Sequence, residues 1–130
     1  GVDLGGRHIN EIDQAFDYYT PVLVAEENWL AENGDIATRF LAAVSKGYQF
    51  ADDNPEEAAD ILLEAAPESG AELVKAGQEW MAGQYQADAP YWGYQDEAIW
   101  QDFADWLYER GLIAEQFDGA ATFTNEYLPQ

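Results

Sequence analysis

Hydrophobic and polar residues follow two periods along the chain, and the period changes after residue 25. Residues 18–25 read Tyr-Tyr-Thr-Pro-Val-Leu-Val-Ala, a β-branched and aromatic run whose last four residues are all apolar. Such a run is typical of a strand covered on both faces. Val2, Leu4 and Ile9 indicate a shorter strand in the glycine-punctuated residues 1–17. The pattern therefore predicts one or two strands at the start of the chain.

From Glu26 onward the apolar positions recur every three to four residues, which is the period of an amphipathic helix. Asn33-Gly34 interrupts the pattern early, Asn54-Pro55 is a strong helix start, and Gly111 fits the position after a helix end. Residues 84–94 are predicted to be a loop. About five helices are expected, over approximately residues 26–32, 36–51, 55–66, 71–81 and 96–110. The second helix carries the clearest apolar stripe, formed by Ile36, Phe40, Ala43, Val44, Gly47, Tyr48 and Ala51.

The predicted fold class is therefore mostly α with one or two strands, and this combination poses a problem. A buried strand needs neighbouring strands to pair its N–H and C=O groups. The chain supplies no clear neighbour, so we expect the partner strands to lie upstream in a longer protein.

Composition supports a folded domain and narrows its partners. The chain has 130 residues, of which 48% are hydrophobic and 15% aromatic, so it is not a disordered acidic tail. Asp and Glu number 26 against 5 Lys and Arg, which gives a net charge of −21. This charge excludes a general phosphate-backbone binder and disfavours anionic membranes. We expect no nucleic-acid partner, and a source adapted to high salt is one explanation of the acidity.

Residues suited to catalysis or metal binding are scarce. Cysteine is absent, His8 is the one histidine, and no phosphate loop or nucleophile elbow is present. Carboxylate pairs occur, but they fall at helix starts or on polar helix faces, where solvation explains them. These pairs are Glu26/Glu27, Asp52/Asp53, Glu56/Glu57 and Asp102/Asp105. We therefore expect no catalytic residue, no metal and no cofactor.

Three aromatic residues are the candidate ligand-binding residues. Tyr18 and Tyr19 stand at the start of the predicted strand, and ligands of open α/β sheets bind where strands end. Trp92 lies in the loop Pro90-Tyr91-Trp92-Gly93. Planar ligands stack well on such rings. Ordinary packing is the alternative for each of the three.

Several segments, taken in order, resemble the NMT1/THI5-like substrate-binding proteins. Residues 17–25 are similar to the strand that returns to the first lobe of that family, and residues 40–51 and 54–58 to its next two helices. The most specific likeness is Trp92-Gly93-Tyr94-Gln95, followed by Trp100, Phe103, Trp106-Leu107 and Gly111-Leu112-Ile113. Residues 123–129, Phe-Thr-Asn-Glu-Tyr-Leu-Pro, resemble the family's C-terminal signature.

The resemblance implies the C-terminal portion of a two-lobed α/β periplasmic-binding-protein fold of type II. Residues 1–17 would end lobe 2 and form the crossover, and residues 18–130 would be the C-terminal part of lobe 1. It implies capture of a small aromatic heterocycle, such as a thiamine pyrimidine precursor, for an ABC permease. The expected location is extracellular or periplasmic, with a membrane anchor in a missing N-terminal segment.

Two alternatives remain open. In the first, the chain is part of a pyrimidine synthase of the same fold, an enzyme that uses pyridoxal phosphate. The resemblance includes such enzymes as well as binding proteins. The other is a free-standing helical interaction domain, against which the unpartnered strand argues. As a fragment, the chain is expected to self-associate as a dimer and to bind pyrimidines or flavins poorly by itself.

The charge leads to a first prediction. Like-charge repulsion at −21 opposes the compact state, and salt screens it, with a Debye length of about 3 Å at 1 M. The melting temperature should therefore rise when NaCl increases from about 0.05 M to about 1 M. Differential scanning calorimetry measures this, and a flat or falling melting temperature would contradict it.

Overall fold

Helices dominate the computed structural model, which describes residues 17–129. Within residues 17–129, four α-helices follow an initial non-helical segment, and a 3₁₀ helix, Gly119–Ala121, lies near the end. The α-helices are α1 (Glu27–Asp53), α2 (Pro55–Ala65), α3 (Ala71–Met81) and α4 (Glu97–Glu109). Helix α1 packs against α2, α2 against α3, and the 3₁₀ helix against α4. The prediction of a mostly α chain is confirmed.

None of the helices within residues 17–129 is both long enough and apolar enough to cross a membrane. The shorter strand predicted around Val2, Leu4 and Ile9 lies outside the described residues, as does His8.

The segment predicted to be a strand, residues 18–25, is not assigned as a strand within residues 17–129, and its pairing with upstream strands stays a prediction. This segment is not helical, but it joins no β-ladder with any residue from 17 to 129. Within that range the backbone groups of residues 22–25 also make no hydrogen bond. The physical reason is that a strand exists only when a neighbour pairs with it, and these residues provide no neighbour. We call residues 22–25 the free edge.

Helix α1 begins with a carboxylate cap and contains a kink. The Glu26 side chain accepts hydrogen bonds from the backbone N–H groups of Asn28, at 3.1 Å, and Trp29, at 2.8 Å. At Asn33 the backbone leaves the helical region, with φ −130° and ψ 27°, and its Nδ2 donates to the Trp29 carbonyl at 3.0 Å. The predicted break at Asn33-Gly34 is therefore present as a kink inside one helix, which reduces the expected five helices to four.

The remaining helix ends largely follow the prediction. Pro55 is the first residue of α2, although the Asn54 side chain donates to the Phe50 carbonyl, at 3.0 Å, instead of capping α2. Helix α4 ends where expected, with Gly111 at φ +67°. The Gly111 and Leu112 N–H groups donate to the carbonyls of Tyr108, at 2.9 Å, and Leu107, at 3.0 Å, which is a Schellman arrangement.

Few side chains are buried among the described residues, and those that are buried are small. They are Ala37, Ala59, Ala104 and Ser45, and no large side chain is fully buried. The apolar stripe of α1 stays accessible, with Phe40 53% exposed, and Val24 on the free edge is 87% exposed. The described helices therefore leave an extended apolar surface open.

The α1 cap gives a pH prediction. The N–H groups of Trp29 and Asn28 hold the pKa of the Glu26 carboxyl below its ordinary value. The stabilisation it gives is therefore complete above the ordinary pKa of a glutamate, about 4.3, and is lost as the pH falls through the lowered folded value. Glu26→Gln should lower the melting temperature at pH 7, and the difference from the parent chain should shrink at pH 3.

The matched control is Glu64→Gln, which removes an exposed carboxylate from the last turn of α2. Its effect on the melting temperature should be smaller at pH 7. Equal effects of the two variants at pH 7 would show that Glu26 acts through net charge and not as a cap.

Candidate functional site

A groove of about 540 Å³ is the candidate site. It lies between four parts of the chain: the segment at residues 21–25, helix α1 from Trp29 to Tyr48, the loop at residues 92–95, and residues 124–128. Its lining is Pro21, Val22, Leu23, Val24, Ala25, Trp29, Leu30, Ile36, Ala37, Phe40, Leu41, Val44, Tyr48, Trp92, Gly93, Gln95, Thr124, Tyr127 and Leu128.

Among residues 17–129, no charged residue lines this groove, although 24% of the residues in the chain are charged. The acidic side chains of the described residues therefore lie outside the groove lining. An ionic ligand would find no counter-charge among these lining residues, and burying it there would be costly. The groove is thus suited to an uncharged, largely apolar occupant.

An aromatic pair forms one wall of the groove. The rings of Tyr48, on α1, and Trp92, in the loop, stack with centroids 4.8 Å apart and planes inclined by 25°. Tyr85 meets Tyr48 edge-on at 5.1 Å, and its hydroxyl donates to Oε1 of Gln78 at 2.7 Å. Gln78 in turn donates through Nε2 to the Ala51 carbonyl at 3.0 Å, so α3 supports the wall from behind.

Asn125 ties the C-terminal segment to the loop that carries Trp92. Its Oδ1 accepts from the Gln95 N–H at 3.0 Å, and its Nδ2 donates to the Gln95 carbonyl at 2.8 Å. One side chain thus makes both bonds that a neighbouring strand would make to this residue. Trp100 Nε1 donates to Gln95 Oε1 at 2.7 Å, which also fixes the Gln95 side chain. The loop is therefore held from both sides.

Two glycines let the C-terminal segment approach closely. Gly93 has φ +83°, a conformation that disfavours other residues, and a Cβ there would lie 3.0 Å from Leu128 Cδ2. A Cβ on Gly34, beside the α1 kink, would lie 2.8 Å from Tyr127 Cε1. Tyr127 and Leu128 therefore pack directly against α1 and the loop. We call residues 124–128, which lie along the groove, the strap.

The rings of Tyr18 and Tyr19 belong to a different aromatic cluster, in which they pack against side chains of α4. The Tyr18 ring stacks on Phe103, with centroids 5.5 Å apart, and Tyr19 lies at 5.9 Å from Trp100. The Tyr19 hydroxyl accepts a hydrogen bond from the Asp96 N–H at 2.7 Å, at the start of α4. The Tyr19 hydroxyl thereby holds the segment before α1 to the start of α4.

The structure therefore separates the three predicted ligand-binding residues. Trp92 lines the groove, whereas Tyr18 and Tyr19 do not, and the ligand-binding role of all three stays a prediction. Tyr48 and Phe40 lie on the apolar stripe of α1 that the sequence predicts, and they were not among the predicted site residues. The unpartnered predicted strand was the sequence signal for these two residues. Without a sheet to pack against, the apolar stripe of α1 stays accessible.

Two of the carboxylate pairs include a residue that holds the local structure through a hydrogen bond to another part of the chain. Asp52 accepts a hydrogen bond from the Gly83 N–H, and Asp105 accepts from Gln101 Nε2 at 2.9 Å. Lys75 pairs with Asp60 at 2.8 Å, and this contact raises the pKa of the Lys75 amine. Within residues 17–129, no three carboxylate or histidine side chains are placed to hold a metal ion. Nothing in the described geometry forms an acid–base pair at the groove.

Comparison with known proteins finds one family model and two relatives that are similar to this sequence. A family model described as NMT1/THI5 like matches residues 2–58. A formylaminopyrimidine-binding protein of Halalkalibacterium halodurans is 28% identical over 119 residues, covering 83% of this chain and 36% of that protein. The riboflavin-binding protein RibY of Chloroflexus aurantiacus is 25% identical over 117 residues, covering 82% of this chain and 32% of that protein.

These matches confirm the predicted resemblance to the NMT1/THI5-like substrate-binding proteins. The helical architecture is consistent with a C-terminal portion of that family's periplasmic-binding fold. The chain spans about a third of the length of the curated relatives it matches. Both relatives are named as binding proteins for small heterocycles.

The strap leads to a prediction about Asn125. Replacing it with alanine leaves the N–H and carbonyl of the half-buried Gln95 without partners, so Asn125→Ala should destabilise the chain by about 1–3 kcal/mol. Asn125→Asp keeps the acceptor but loses the donor, and its effect should be similar. Urea unfolding followed by tryptophan fluorescence measures both.

The control is Glu126→Gln, in the same segment, whose side chain is exposed. Its effect should lie within about 0.5 kcal/mol of the parent chain. If Asn125→Ala were no more destabilising than this control, the strap would not hold the loop.

Proposed function

We propose that this chain is the C-terminal part of a solute-binding protein that captures a small, uncharged aromatic heterocycle, such as a thiamine pyrimidine precursor. The observation that carries the proposal is the groove itself, which combines the stacked pair Tyr48 and Trp92 with a lining free of charge. The names of the two relatives support this class of ligand.

The mechanism proposed is binding without bond making or breaking. An aromatic ring gains contact area and favourable ring–ring geometry when it packs on Tyr or Trp, while a few polar groups fix its orientation. Around the groove such groups are the Gln95 and Thr124 side chains and the backbone of the free edge. Closure of a second lobe over the ligand completes the proposed site.

Delivery of the ligand to an ABC permease, from an extracellular or periplasmic location, is part of the same proposal. Its support is the family resemblance. The proposal assigns no catalytic residue to this chain. Pyridoxal phosphate absorbance in the complete protein would instead favour the synthase alternative.

Trp92 provides the test. In the complete protein that contains this chain, Trp92→Leu should weaken binding of an aminopyrimidine or of riboflavin by about 1–3 kcal/mol, the usual effect of losing one stacked ring. Trp92→Phe, which keeps a ring, should weaken binding less. Isothermal titration calorimetry measures both affinities.

Tyr18→Ala and Tyr108→Ala extend the same titration. Tyr18 tests the original sequence prediction, and Tyr108 is a matched control that is 45% exposed and lies outside the groove lining. The 130-residue chain by itself should bind these ligands weakly, because it spans only about a third of the length of the relatives named as binding proteins. Unchanged affinity in Trp92→Leu would remove the groove from the binding site.

A further inference from the structure

Asn33 is the one asparagine of the chain that a glycine follows, and it lies where helix α1 is kinked. Its backbone, with φ −130° and ψ 27°, is outside the helical region. Asn33 and Gly34 are both half-buried, so water reaches this position. The other asparagines precede a larger residue or a proline, in the pairs Asn10-Glu11, Asn28-Trp29, Asn54-Pro55 and Asn125-Glu126.

We propose that Asn33 is a modification site, at which the side-chain amide is lost spontaneously through a cyclic imide formed with the backbone nitrogen of Gly34. The Gly34 nitrogen bonds to Cγ of Asn33 while the bond from Cγ to Nδ2 breaks. Nδ2 leaves as ammonia, which takes up the proton that the Gly34 nitrogen loses. Water then opens the imide. Opening at Cγ gives aspartate, and opening at the main-chain carbonyl gives isoaspartate, in which the main chain runs through Cβ and Cγ.

The kink and the glycine both favour ring closure. Gly34 has no Cβ to shield its nitrogen, and glycine adopts backbone angles that other residues disfavour. In the middle of a straight helix the hydrogen-bonded backbone resists the rotation that the ring needs. At Asn33 the backbone has already left helical geometry, so rotation there disrupts less regular structure. The Asn33 side chain is restrained by an exposed bond of 3.0 Å from its Nδ2 to the Trp29 carbonyl.

The strap controls the rate of this reaction, because the Tyr127 ring covers Gly34. A Cβ on Gly34 would lie 2.8 Å from Tyr127 Cε1, and its three nearest atoms all belong to that ring. Rotation of the Gly34 backbone therefore requires Tyr127 to move away. Asn125 holds the strap through its two hydrogen bonds to the Gln95 backbone. The amide is thus lost from the minor population in which the strap is open.

Both products change the kink. A carboxylate at residue 33 cannot donate to the Trp29 carbonyl, and it adds one negative charge to a chain of net charge −21. Isoaspartate also lengthens the main chain by one methylene, directly beside the Tyr127 contact. The modified protein should therefore melt at a lower temperature than the parent. The proposal concerns the covalent chain at the kink and does not depend on what the groove binds.

Incubation of the complete protein that contains this chain, at neutral and at mildly alkaline pH, tests the site. Peptide mapping by mass spectrometry should show conversion at Asn33 well before conversion at Asn28, which lies in the same helix. The rate should rise in proportion to hydroxide, because the Gly34 nitrogen must lose its proton. Ion-exchange chromatography should show a more acidic species that appears with the same time course. Asn33→Gln, which would need a larger ring, should abolish this species.

Variants of Tyr127 test the control by the strap. Tyr127→Ala should accelerate conversion at Asn33, whereas Tyr127→Phe, which keeps the ring, should convert at the parent rate. The matched control is Tyr108→Ala, at a residue that is 45% exposed and outside the groove lining, and it should also convert at the parent rate. Conversion at Asn28 in the same samples reports general unfolding of α1.

Selective conversion at Asn33 that Tyr127→Ala accelerates, with Asn28 unchanged, supports the proposal. The proposal would be overturned if Asn33 stayed intact over a time in which the protein unfolded in urea converts there. Equal conversion at Asn33 and Asn28 would also overturn it, because that pattern indicates global unfolding. Equal rates in Tyr127→Ala and the parent would remove the control by the strap. Since no ligand is present, these outcomes are separate from that of the Trp92 titration.

Discussion

The paired hydrogen bonds between the Asn125 side chain and the Gln95 backbone are the contact on which the rest of the site depends. They join residues 30 positions apart in sequence, and they hold the C-terminal segment along the groove. Tyr127 and Leu128 then pack where Gly34 and Gly93 leave room. Because no large side chain is fully buried in residues 17–129, polar contacts of this kind define the arrangement more than a packed core does.

Charge and apolar surface are segregated in this chain. The acidic residues within 17–129 do not line the groove, and the uncharged lining includes residues 22–25. The groove therefore offers an uncharged ligand an apolar surface, although the chain as a whole is highly charged. This distribution also means that the occupant is selected by shape, stacking and backbone hydrogen bonds, which are short-range, and that the net charge acts mainly through solubility and salt dependence.

The groove and the free edge offer different chemical groups to a binding partner. The groove offers ring faces and apolar side chains, which suit a small planar molecule. The free edge offers backbone donors and acceptors in a row, which only another extended chain can pair completely. The relatives are about three times as long as the matched region, so they have further residues that can contact the groove and the free edge. The same surface can therefore serve a ligand and a strand.

The sequence by itself determined the local structure. The helix start at Asn54-Pro55, the interruption at Asn33-Gly34 and the end at Gly111 depend on backbone preferences of a few adjacent residues, and each is present in the structure. The resemblance of residues 92–95 and 123–129 to the NMT1/THI5-like family also came from sequence. Residues 18–25 form no strand within residues 17–129, because a strand depends on a neighbour and not only on its own composition.

Only the tertiary structure decided which aromatic residues meet. Tyr18 and Tyr19 are adjacent in sequence to the groove-lining segment, yet their rings pack on α4, and the Tyr19 hydroxyl binds the Asp96 N–H. Tyr48 and Trp92 are far apart in sequence and stack together. Helical periodicity identifies the face on which a ring lies, but not whether another element covers that face. Which ring lines a groove and which is used in packing is therefore set by long-range contacts.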